Sequence, residues 1–183
     1  MQENKEKELI DKLLNSKTQQ TAFRELVDQF SQQLYWQIRK IIISHHDTND
    51  VLQNVFIKVW QSLDAFRGDA KLSTWLYRIA INESITYLNR EREKYNISLD
   101  DEDVFLISQL ESDPYFDGNE ADLKLQKAVL ALPEKQRIVF NMKYFDEMKY
   151  SEISDILETS EGALKASYHH AVKKIEEFLS KED

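Results

Sequence analysis

Two stretches of the chain carry side chains with chemistry to offer. Residues 66–82, FRGDAKLSTWLYRIAIN, set Arg67, Lys71 and Arg78 among Trp75 and Tyr77, add Ser73, Thr74 and Asn82, and lead on to Tyr87, Arg90 and Arg92. Cationic groups interleaved with rings suit single-stranded nucleic acid, because the charges follow phosphates while ring faces hold unstacked bases. The same rings at helical spacing also suit a packed core, so both readings of Trp75 and Tyr77 stay open here. The second stretch is 161–179. At about 100° per residue, Leu164, Tyr168, Ala171, Val172, Ile175 and Leu179 fall on one side. Gly162, Lys165, Ala166, His169, His170, Lys173 and Lys174 fill the other. Lysine and histidine on such a face can meet phosphates and base edges, although a solvated face has the same composition.

Reaction chemistry finds no comparable cluster. The chain has no cysteine, which removes thiolate metal sites and cysteine nucleophiles. His45-His46 and His169-His170 are adjacent pairs far apart in sequence, and neighbours on a helix point about 100° apart. No HExxH motif or Asp-rich loop accompanies them. We expect no catalytic residue, no metal, no cofactor and no small-molecule substrate.

The elements around these stretches read as helices. Gly68, Pro114, Gly118, Pro133 and Gly162 are the only glycines and prolines in 183 residues, which leaves long uninterrupted runs. Phe23, Val27, Phe30, Leu34, Ile38 and Ile41 recur at steps of three and four. Val51, Leu52, Val55, Phe56, Val59, Trp60 and Leu63 form a second stripe, and Trp75, Leu76, Ile79, Ala80 and Tyr87 a third, with Ser73-Thr74 as its expected N-cap. No segment keeps period two. The expected fold is all-α.

Charge divides the chain. The net charge of −9 argues against a nucleic-acid partner. Yet residues 99–122 hold nine acidic residues and no Lys or Arg; removing those nine from 33 leaves 24 acidic groups against 24 basic ones. With Pro114 and Gly118 inside it, this segment reads as a flexible, solvated connector. Its Val104, Phe105, Leu106, Ile107 and Leu110 are apolar for a spacer and predict a short docking element.

Beyond the connector, a helix is expected over 123–132, then Pro133 at a first helical position and a helix from Glu134 to Phe145. Asp146-Glu147 end it, and Ser151 caps a short helix with Ile153, Ile156 and Leu157 inward. A turn at 159–162 leads into the last helix, about 161–179. Short helix, glycine-containing turn and longer helix make a helix-turn-helix. The charged N-terminus, MQENKEKELIDKLL, lacks the features of a signal peptide, and no apolar run approaches a bilayer span. A cytoplasmic protein is expected.

Two long segments resemble a known family. Residues 47–92, DTNDVLQNVFIKVWQSLDAFRGDAKLSTWLYRIAINESITYLNRER, resemble conserved region 2 of bacterial sigma factors of the extracytoplasmic-function (ECF) group, within the sigma-70 family. Residues 132–179, LPEKQRIVFNMKYFDEMKYSEISDILETSEGALKASYHHAVKKIEEFL, resemble their region 4. The resemblance implies an N-terminal extension at 1–20, region 2 at 21–98, the acidic linker at 99–122 and region 4 at 123–183. It implies a promoter-recognition subunit, monomeric when free, that binds core RNA polymerase, promoter DNA and an anti-sigma factor. Asp50, Gln53, Asn54, Phe56 and Trp60 would meet the clamp coiled coil of the largest polymerase subunit, with further contact at the flap region. Arg67, Lys71, Ser73, Thr74, Trp75, Tyr77, Arg78, Asn82 and Arg90 would open the −10 element and hold a flipped base. Lys165, Ala166, Ser167, His169, His170, Lys173 and Lys174 would read the −35 element. The linker would run toward the polymerase active-site and RNA-exit channel. Asn54 stands where the family commonly has Glu, and Ser167 and His170 stand where it often has Arg, which weakens phosphate attraction. A stand-alone helix-turn-helix regulator, which should dimerise, would explain the C-terminal half but leave 47–92 without a purpose.

Overall fold

Three long helices make the frame, each packed on the other two: α2 (Gln19–Ile42), α3 (His45–Ser62) and α4 (Leu72–Tyr95). A computed structural model describes residues 2–66, 68, 70–98 and 101–181, with side chains from Lys5 onward. Among the described residues there is no strand. The fold is all-α, as expected.

On α2 the buried face runs Ala22, Leu26, Phe30, Leu34, Ile38 and Ile41, with Phe23 and Val27 half-buried at its edge. The spacing of three and four keeps these residues on one side of the helix. α3 turns Val51, Val55, Val59 and Leu63 into the same core. Ser44 caps α3, its Oγ accepting the Asp47 N–H at 3.3 Å. The preceding Ile43 takes φ +71°, a conformation costly for a β-branched residue. Burial of its side chain in the core opposes that cost.

α4 begins one residue before the expected cap. Lys71 precedes it, Ser73 and Thr74 lie inside the first turn, and no side chain of α4 itself caps the helix. The Leu72 N–H donates instead to Glu6 Oε1 at 2.6 Å. Glu6 belongs to α1 (Gln2–Leu13), which packs on α2 through Leu9 and Leu13. A carboxylate there satisfies an orphan donor and complements the positive helix end.

The connector is structured across its middle. α5 (Glu102–Glu111) buries Leu106 and Leu110, while Val104 projects into solvent. The apolar residues in the acidic segment are therefore spent on packing, which separates this stretch from a solvated spacer. α6 (Glu120–Leu130) follows, with Asn119 and Asp122 exchanging side-chain and backbone bonds as a capping box.

α7 (Glu134–Phe140) has Pro133 at its N-cap, one position earlier than expected, and continues into a wider turn over Asn141–Phe145. α8 (Tyr150–Leu157) starts before Ser151, which sits in its first turn; Lys149 precedes the helix, and its N–H donates to Glu152 Oε2 at 3.0 Å. α9 (Glu161–Leu179) starts after Ser160, whose Oγ accepts the Ala163 N–H at 3.3 Å. α8, the turn and α9 form the helix-turn-helix.

One core spans both halves. Ile138, Val139, Met142, Ile153, Ile156 and Leu164 belong to the same buried cluster as Leu34, Leu76 and Leu88. A smaller cluster of Ala128, Val129, Leu132, Phe140, Ala171 and Ile175 belongs to the C-terminal helices alone.

Candidate nucleic-acid interface

α9 turns Leu164, Ala171 and Ile175 inward and leaves Tyr168, Val172 and Leu179 half-buried beside them. Lys165, Ala166, His169, His170, Lys173 and Lys174 are exposed on the opposite face; Ser167 is half-buried at its edge. The lysines are not bare charges. Lys165 Nζ lies 3.5 Å from Glu161 and 5.5 Å from the centre of the Tyr150 ring. Lys173 lies 3.9 Å from Glu177. Exposed pairs of this kind hold loosely and can exchange for a phosphate. Burial, followed by the neighbouring Tyr150 and Tyr144, pushes the Tyr168 hydroxyl above its usual range.

The other candidate surface is mixed. On α4, Asn82 and Arg90 are exposed, as is Lys71 just before it; Ser73 is half-buried, and Thr74 is buried beneath the surface. Arg67 lies outside the described residues. Trp75 is half-buried with its ring 4.7 Å from that of Phe66, tilted by 33°. It therefore packs on the core while part of it stays accessible. Tyr77 is half-buried, and burial raises its hydroxyl pKa, with Asp146 and Glu152 adding to the effect.

Arg78 is engaged across the molecule. Its Nε donates to the Asp155 carbonyl at 3.0 Å, and a terminal nitrogen lies 2.9 Å from Glu158 Oε1. Both partners sit at the C-terminal end of α8, where unpaired carbonyls attract a cation. Beside this contact, Trp75, Arg78, Asn82, Lys135, Ile138, Leu157 and Ser167 help line a cleft of about 790 Å³ between α4 and the C-terminal helices.

α3 carries a third surface. Asp50, Gln53, Asn54 and Trp60 are exposed, and Phe56 is half-buried with its ring edge-on to Phe23. Trp60 also packs edge-on against Phe23 at 5.0 Å yet stays 42% exposed. Ile57, 55% exposed, completes this face; the sequence reading passed over it because it lies off the apolar stripe. Its signal was an apolar residue four after Gln53 and three before Trp60.

One group has metal-ligand proximity: ligand atoms of His46, Asp47 and Asp50 lie within 4.8 Å of one another, His46 and Asp50 being exposed. No other such group occurs among the described residues. Sequence reading also missed Glu102 and Arg137. Arg137 is 1% exposed, and one of its terminal nitrogens donates to Glu102 Oε1 at 2.8 Å; Arg92 donates to Glu102 Oε2 at 2.9 Å. Neither pairing has a local sequence signature. No helix among the described residues is long and apolar enough to cross a membrane.

Comparison with known proteins matches both halves. Residues 26–94 match the model of sigma-70 region 2, and residues 122–175 match that of sigma-70, region 4. The ECF RNA polymerase sigma factor SigW of Bacillus subtilis (strain 168) is 30% identical over 161 residues, covering 84% of this chain and 86% of SigW. The ECF RNA polymerase sigma-E factor of Escherichia coli (strain K12) is 29% identical over 182 residues, covering 92% of this chain and 94% of that protein. Two solved structures share the fold. CnrH, in complex with the cytosolic domain of CnrY, gives a TM-score of 0.69 at 21% identity, covering 97% of this chain and 99% of CnrH. The sigma factor RpoE of Bartonella quintana, in complex with the anti-sigma factor NepR, gives 0.65 at 17% identity, covering 86% and 96%.

Proposed function

The chain belongs to the extracytoplasmic-function group of the sigma-70 family and serves in transcription initiation, and on that premise we propose how its surfaces divide the work. The α3 face of Asp50, Gln53, Asn54, Ile57 and Trp60 binds the clamp coiled coil of core RNA polymerase. α4, with Lys71, Trp75, Tyr77, Arg78, Asn82 and Arg90, takes the −10 element. α9, with Lys165, Ala166, His169, His170, Lys173 and Lys174, reads the −35 element. No step assigned to this chain is catalytic; nucleotide addition belongs to the polymerase.

The observation that supports this reading most is the α9 face. A helix-turn-helix with a side-chain cap presents six exposed polar or small residues, with its apolar side fixed in the core. Alone, the chain binds DNA weakly, because its near-zero charge outside the connector gains little counterion release. Docking on polymerase fixes both domains in one frame and turns two weak contacts into one bivalent contact. Capture of unstacked bases beside Trp75 then drives melting, each stacked base contributing about 1–3 kcal/mol. An anti-sigma factor acts by covering these faces, in keeping with the partners present in the RpoE and CnrH complexes.

Transcription of a fragment library of the source genome by core polymerase, with and without the chain, tests the reading. Discrete RNA 5′ ends that depend on the chain support it. Identical ends in both reactions contradict it.

A further inference from the structure

The closed arrangement of the chain conflicts with the task proposed above, and the conflict points to a device in the linker. Elements named −10 and −35 lie about 25 base pairs apart, or roughly 85 Å at 3.4 Å per step. Here α4 touches α8 through Arg78, and α8 abuts α9, itself only about 28 Å long. One chain in this shape cannot reach both elements.

The polar contacts that close it, laid over the apolar core shared by the two halves, are few and specific. Glu102, at the start of α5, lies between Arg92 of α4 and Arg137 of α7, accepting at 2.9 and 2.8 Å. Leu106 and Leu110 of the same helix sit in the core shared by the two halves. Two further links flank them: Arg39 pairs with Asp113, and Lys40 and Gln37 of α2 both reach Asp146. The helical state of α5 also sets the reach of the connector. From residue 97 to 119 the chain spans about 60 Å with α5 folded and about 80 Å with it extended.

We propose that α5 is a clasp. Through Glu102 it holds the free chain closed, with Arg78 spent on α8, so that Arg78 and the covered part of the −10 face of α4 become available only when α5 is released. The inference rests on the sigma-factor reading. The α3 face remains open in the closed chain, so polymerase can dock before the clasp opens. Charged groups suit a clasp of this kind. Broken one at a time, they leave a buried charge without its partner, which is strongly unfavourable; released together, they regain water.

The absence of cysteine allows clean labelling. Spin labels at Gln61→Cys on α3 and Lys173→Cys on α9, both exposed positions, report the separation of the halves by pulsed EPR. The free chain should give one short distance, and the chain bound to core polymerase a longer one. Glu102→Gln should raise the open-to-closed ratio about tenfold or more without polymerase. Arg92→Gln, which keeps the buried Glu102–Arg137 pair, should shift it the same way by less, and it carries the test if Glu102→Gln loses its helical circular dichroism. Folded variants with the unaltered short distance overturn the clasp. So does a polymerase-bound chain that keeps the short distance. If the variants open but the chain forms no complex with core polymerase, the clasp stands and the sigma-factor reading falls.

Discussion

α4 and α9 are both candidate DNA-reading helices, and the fold treats them in opposite ways. α9 buries one side and leaves the polar side open along most of its length. α4 buries Leu72, Leu76, Ala80, Ile81, Ser84 and Leu88, and its other side is partly taken up by Phe66, Asp155 and Glu158. An open reading face follows from local spacing alone. A covered one depends on partners far away in the chain; for Arg78 that partner lies 77 residues on.

The largest expected effect separates the two helices by their cores. Leu76→Ala on α4 empties a fully buried site and should cost about 2–5 kcal/mol. Because that site belongs to the shared core, thermal unfolding should shift for both halves in one transition. Ile175→Ala on α9 lies in the smaller cluster. Hydrogen exchange should show it loosening the C-terminal helices while α4 keeps its protection. Equal loss of protection in both halves would erase the distinction.

Function should divide in the same way. Lys165→Ala with His169→Ala should lower use of a cognate promoter by about 1–3 kcal/mol of binding while polymerase affinity holds. Trp75→Ala should slow initiation on a duplex promoter more than on one already opened at −10. Similar slowing on both templates would remove the melting role from α4.

Caps give a smaller effect. Ser160→Ala should cost α9 about 1 kcal/mol in thermal stability. Glu6→Ala should cost α4 a similar amount, since its carboxylate accepts the Leu72 N–H. A neutral Glu6→Ala would show that α1 does not support the −10 helix.

The smallest effect is one of pH. Burial raises the Asp146 carboxyl above its ordinary 3.8, outweighing the opposing contacts with Lys40 and Gln37. A carboxyl with a raised folded pKa takes up its proton in the folded chain first, so its contribution to stability improves as pH falls through that pKa. Asp146→Asn should remove this gain. The melting temperature of wild type relative to the variant should rise between pH 7 and pH 4; a fall would reverse the assigned direction.

Much of this molecule was legible from residue spacing. The stripes on α2 and α3, the start of α9 near residue 161 and its exposed lysines and histidines all follow from period and local chemistry. Helix starts were less legible where the cap came from elsewhere: Ser73 and Ser151 are good capping types, yet Glu6 and Glu152 meet those ends. The acidic segment was the least legible. Composition alone describes a solvated spacer, whereas Glu102 is buried because Arg92 and Arg137 converge on it from separate helices. Only tertiary contact can make such a carboxylate an interior group. Thr74 went the same way, a polar residue in a candidate binding run that packs inward.

Gel filtration of the folded chain with core RNA polymerase tests the central claim most directly, run alongside an Ile57→Asp, Gln53→Ala variant of the exposed α3 face. The account predicts co-elution near one to one for the wild type and its loss for a variant that keeps its helical circular dichroism. A folded wild-type chain that elutes alone, or a variant that binds as tightly as the parent, would contradict it.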